Sequence, residues 1–142
     1  MNGLPSRSSV RRGQSLVELA LTLSVLIILL AGIIDFGVAY FSYVALRDAA
    51  EEGAVYGAMC PTDLAGIEER IRQSSSSPVN LADTTYVTVT IQSSRSNPQP
   101  GDVLQITVAY RYLTILPFLA GNSILLRAQV TAVVLTSGCA VP

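Results

Sequence analysis

The feature that most constrains this chain is a proline-free stretch from Gln14 to Ala58 whose first half is almost wholly apolar. From Leu16 to Ile34 the nineteen residues LVELALTLSVLIILLAGII hold one ionisable side chain, Glu18. The charge-free part, Leu19–Ile34, makes a helix about 24 Å long at 1.5 Å per residue, slightly short of a hydrocarbon core of roughly 30 Å. Apolar character resumes after Asp35 with FGVAYFSYVAL, so the full run reaches across a bilayer. Tyr40 and Tyr43, with Phe36 and Phe41 nearby, suit an aromatic belt at the far interface. A membrane helix embedded over about residues 16–38 is therefore expected, continuing as an exported stalk over about 39–58.

The flanks orient it. Arg7, Arg11 and Arg12 precede the apolar run, and no acid occurs before Glu18. Past the run lie Asp35, Asp48, Glu51 and Glu52 against Arg47. By the positive-inside rule the N-terminus stays cytoplasmic and the chain beyond Leu46 is exported. This places the protein in the inner or cytoplasmic membrane as a single-pass protein. A cleaved secretory signal is the alternative. Against it, Glu18 lies where the apolar region of a signal would begin, and Leu30-Ala31-Gly32 is a poor substitute for an Ala-x-Ala site.

Composition narrows the chemistry. Only 13% of residues are charged, against about 25% in ordinary soluble domains. The sequence contains no histidine and no lysine, which removes His triads, His metal sites, phosphate-loop lysines and Schiff bases. With a net charge of −1 and no tryptophan, a nucleic-acid partner is not expected. Neither is a cofactor, a metal or an enzyme. The remaining candidate acids are the pairs Glu51/Glu52 and Glu68/Glu69, but adjacent positions on a helix point in different directions.

After the break at Met59-Cys60-Pro61, Ile67 and Ile71 supply an i, i+4 contact for a second helix over Asp63–Gln73, capped by Thr62 or Asp63. Ser74–Ser77 and Pro78 form a loop. The period then switches to two: Val87, Val89 and Ile91; Leu104, Ile106, Val108 and Tyr110; and Leu126, Ala128, Val130 and Ala132 alternate with polar residues. Residues 97–102 read as a hairpin loop, whereas the next connection, LTILPFLAGN, is apolar. Its Ile115–Leu119 part either covers the sheet or meets the membrane or another subunit. The expected fold is α+β, with a long N-terminal transmembrane helix (14–58) running into a small exported domain (59–142) built on a three-stranded antiparallel sheet.

Two further patterns stand out. Ala45, Ala49, Gly53 and Gly57 recur every fourth residue, beside a second row of Ala50, Ala54 and Ala58; such rows admit close approach of another backbone. They seat either this protein's own sheet or a neighbouring helix. Cys60 and Cys139 both fall in the exported part, where oxidising conditions favour one disulfide.

The segment Arg11-Arg12-Gly13-Gln14-Ser15-Leu16-Val17-Glu18 resembles a type IV prepilin processing motif: a basic stretch, a glycine, and a glutamate five residues on. Gly32-Ile33-Ile34-Asp35-Phe36-Gly37 and Ala49-Ala50-Glu51-Glu52-Gly53-Ala54 extend the resemblance to the TadE-like family, pseudopilins of the tight adherence pilus, over roughly residues 12–58. The resemblance implies a leader (1–13) removed by prepilin peptidase between Gly13 and Gln14. It also implies a role as a minor pilin, with partners among other pilins and the pilus assembly platform. Glu18 is then either the group that pairs with a neighbouring subunit's N-terminal amine and sets axial register, or a carboxylate in the headgroup region. Asp35, some 25 Å along the helix, lies either at the outer interface or against a partner subunit. The rival reading is an anchored or secreted extracytoplasmic binding domain unrelated to pili.

Overall fold

The computed structural model describes residues 8–115 and 121–139, with side chains from Gly13 onward. One helix, α1 (Ser8–Met59), runs for 52 residues, about 78 Å at 1.5 Å per residue. Residues 1–13 read in sequence as an irregular tail. Its residues 1–7 lie outside the described residues, but the backbone is already helical from Ser8. Proline is absent between Pro5 and Pro61 and arginine favours helix, so nothing stops the turns propagating backward. At the other end, Pro61 lacks a donor and disfavours helical geometry in the residue before it.

A short helix, α2 (Leu64–Gln73), folds back on α1. Its cap is Asp63, whose side chain accepts from the Gly66 N–H at 3.0 Å. Ile67 and Ile71 are fully buried. Three strands follow, β1 (Val87–Ser93), β2 (Val103–Leu113) and β3 (Ser123–Val133), in antiparallel order β1-β2-β3. The fold is therefore α+β.

Register aligns the inward residues in rows: Ile91 with Ile106 and Val130, and Val89 with Val108 and Ala128. The β1–β2 loop turns through Gly101, whose φ of 95° is open to glycine at little cost. Leu104, Ile106 and Val108 pack with Leu46, Ala49 and Ala50 of α1 and with Ile67 and Ile71 of α2; Val79, Leu81 and Val134 close the core. The core therefore covers only the second half of α1. From Gly13 to Leu30 every side chain of the helix is exposed.

Candidate functional site

The functional candidate is α1 itself: an apolar rod left bare at one end and clasped by a folded domain at the other. The bare part is long and apolar enough to cross a membrane. Gly13, Gln14 and Glu18 lie near its start, all exposed. Gln14 and Glu18 are four residues apart and share a face about 6 Å apart along the axis. Thr22 and Ser24 return their hydroxyls to the backbone, Thr22 to the Glu18 and Leu19 carbonyls and Ser24 to that of Ala20. Those polar groups are thereby satisfied within the helix, a condition a lipid environment enforces.

Asp35 marks where bare rod becomes clasped stalk. Its carboxylate accepts the Tyr112 hydroxyl at 2.5 Å and the Ile115 backbone N–H at 3.2 Å. Tyr112 is 5% exposed. Burial, then the bond to Asp35, pushes its phenol up to about 12, so it remains a donor across the physiological range. The sequence marks Asp35 as unusual; Tyr112 carries only a parity signal, the inward phase of Leu104, Ile106, Val108 and Tyr110. Between the two levels the helix shows an aromatic surface, with Phe36 stacked on Tyr40 and Tyr40 edge-on to Phe41.

The small-residue rows face this chain's own domain. Ala49, Gly53 and Gly57 are buried and Ala45 is half-buried; in the adjacent row Ala50, Ala54 and Ala58 are all buried. A Cβ at Gly53 would lie 2.5 Å from Ile71 Cγ1, and one at Gly57 would collide with Leu104 Cδ2. Glycine at these two positions lets α2 and β2 close onto the helix. Cys60 and Cys139 are joined in a disulfide with Cα atoms 4.3 Å apart. Beside it Leu135 donates its N–H to the Ala58 carbonyl, and the Thr136 hydroxyl donates to that of Met59.

Several other polar groups are engaged structurally. Glu51 pairs with Arg47, Glu68 with Arg72, and Glu69 accepts from Gln73. The Gly66 N–H, and after it the Tyr56 hydroxyl, hold the Asp63 carboxyl below its ordinary value. The same bond raises the Tyr56 phenol, whose ring lies 5.4 Å from the Arg70 guanidinium carbon. A groove of about 530 Å³ runs between α1, at Phe41 and Ala45, and the serine loop at Ser74 and Ser75; Asp48 and Glu52 also line it. Among the described residues no cluster of three or more Cys, Asp or Glu is placed to hold a metal ion.

Comparison with known proteins places the similarity on this rod. Residues 13–55 match the family described as TadE-like protein, a segment that takes in Gly13, Glu18, Asp35 and most of the buried small-residue rows. No curated protein and no solved structure matches the chain. Over that segment the chain is TadE-like, and the match together with the apolar helix fits a protein related to the tight adherence pilus.

Proposed function

We propose that this protein is a minor pilin or pseudopilin of a tight adherence pilus, held in the membrane by the first half of α1 until prepilin peptidase cuts after Gly13. The observation that carries the reading is the coincidence of the TadE-like match over residues 13–55 with an apolar rod that the protein's own domain leaves bare. A helix apolar on every side is stable only within lipid or among other such helices. Such a subunit has both environments available, the bilayer before assembly and a bundle of neighbouring rods afterward.

In this reading Glu18 neutralises the new amine of a neighbour's Gln14. A carboxylate at that depth is costly unless paired, and the pairing would fix how far one rod slides along the next. The N-terminus faces the cytoplasm and the domain beyond Leu46 is exported. The protein catalyses nothing and needs no cofactor; the engagement of Glu51, Glu68 and Glu69 by Arg47, Arg72 and Gln73 supports this. Its partners are the membrane, prepilin peptidase, sibling pilins and the assembly platform.

N-terminal sequencing of the exported protein, expressed with and without prepilin peptidase, tests the proposal. A chain beginning at Gln14 only when the peptidase is present is the expected result. A start near Ile33 would instead identify signal peptidase and an exported domain unrelated to pili.

A further inference from the structure

The geometry points to a second membrane contact, independent of the helix: the β2–β3 end of the sheet rests in the outer lipid interface. The inference builds on the proposed membrane anchoring of α1. Nineteen residues from Leu16 to Ile34 span about 28 Å as a helix, close to the roughly 30 Å thickness of a hydrocarbon core. The outer edge of that core then falls at Asp35. Because the Asp35 carboxylate receives the Ile115 N–H and the Tyr112 hydroxyl, the end of β2 is held at the same edge.

The side chains found there suit lipid. Leu113 is 55% exposed, Ile115 57%, Leu125 53% and Ile124 38%, an apolar cluster at this end of the sheet; the exposed pair Val103 and Val133 lies at the opposite end, away from the level of Asp35. Register explains the grouping. Leu113 and Leu125 share the sheet's outer face with Arg111 and Arg127, since Arg111 lies opposite Leu125 and Arg127 opposite Ala109. Along each strand the arginine is two residues from the leucine, about 7 Å farther from the core of the bilayer. Neither arginine is in an ion pair among the described residues. Leu113 is thus outermost, Arg111 lies level with Leu125, and Arg127 is one step above; apolar side chains with cations beside and above them suit the boundary of acyl chains and anionic headgroups, where long cationic side chains reach the phosphates.

The partner is thus a lipid surface carrying anionic headgroups. Contact there would keep the exported domain upright on the bilayer before assembly. Leaving the membrane would require this end to withdraw as well as the helix.

The chain contains no tryptophan, so single introduced tryptophans report unambiguously. The full-length protein would be reconstituted in vesicles of phosphatidylcholine with or without phosphatidylglycerol, carrying acyl chains brominated near the headgroup. Leu26→Trp monitors the anchor, Leu125→Trp and Ile115→Trp the proposed contact, and Val133→Trp the opposite end of the sheet. Leu125→Trp and Ile115→Trp should be blue-shifted and lose roughly half their emission to quencher at the depth of an interfacial segment, while Val133→Trp is unaffected. Adding Arg111→Gln and Arg127→Gln should reduce that quenching in phosphatidylglycerol vesicles. Quenching of Leu26→Trp without quenching of Leu125→Trp or Ile115→Trp overturns the second contact and leaves the anchor standing. A Leu125→Trp emission that is blue-shifted, unquenched by lipid and dependent on protein density overturns it in favour of a second copy of the chain. Failure of Leu26→Trp to quench overturns the anchoring and the contact together.

Discussion

Asp35 and Tyr112, separated by seventy-seven residues, meet at 2.5 Å where the bare part of the long helix gives way to the clasped part. The bond joins an acid on a largely apolar rod to an inward side chain near the end of β2. It fixes how far down the rod the folded domain sits.

Tyr112→Phe removes the hydroxyl and leaves the aromatic packing in place. A hydrogen bond to a charged group contributes about 1.5–3 kcal/mol, and the retained Ile115 donor moderates the loss. A destabilisation of roughly 1–2 kcal/mol is expected, read as a lowered denaturant midpoint for the full chain in detergent. An unchanged midpoint would show that the clasp holds without this bond.

The same residue makes stability fall in alkali. Its phenol is raised from 10.0 to about 12 in the folded protein. Between those values the unfolded chain loses the proton first, so it binds fewer protons and stability declines with rising pH. The contribution is intact below pH 10 and gone once the pH has passed about 12. Subtracting the Tyr112→Phe profile from that of the unaltered protein isolates this tyrosine from the other five.

Gly53→Ala and Gly37→Ala should move stability in opposite directions. At Gly53 the added methyl meets Ile71 at 2.5 Å in a closed core, whereas at Gly37 it meets nothing within 4 Å. Overpacking costs about 1–3 kcal/mol, more than the gain of about 1 kcal/mol in helix propensity. Thermal unfolding of the two variants side by side gives the sign of each.

Replacing both cysteines with serine removes a cross-link between positions 79 residues apart. Loop-closure entropy for such a separation is worth about 4 kcal/mol, a large fraction of the stability of a small domain. The double variant, Cys60→Ser with Cys139→Ser, should unfold at markedly lower denaturant and become sensitive to protease near residue 139. Unchanged stability would mean that the strands and α2 hold the domain closed without the cross-link.

Glu18→Ala should insert and be processed normally yet fail to join pili, because in the proposed role the carboxylate acts between subunits and not within one. Membrane fractionation and pilus yield, measured on the same cells, separate the two steps. Normal pili in this variant would refute the register role proposed for Glu18.

The architecture is legible in the sequence to the extent that periodicity and punctuation determine it. The apolar run, the stop at Cys60-Pro61, a cap at Thr62 or Asp63 and the three alternating strands each announce themselves within a few residues; the structure selects Asp63. What stays illegible is allocation. The rows through Ala49 and Gly53 state that something approaches closely, and the chain of contacts from Ile71 and Leu104 is needed to say that it is this protein's own core. The bond from Tyr112 to Asp35 is hidden for the same reason, since no local pattern links residues seventy-seven apart. The helix begins earlier than its composition advertises because a helix already formed extends at little cost through residues that would not start one.

The folded domain is fastened to the rod at two heights, by Asp35 where the clasped part begins and by the Cys60–Cys139 link at the far end. Twenty-five helical residues, about 37 Å of rod, separate the fastenings. A load applied along the axis therefore meets the domain in shear, distributed between two anchorages, instead of peeling it from one. A domain attached by a single tether would swing under such a load. This one is built as a splint that stiffens the stalk over the length it covers.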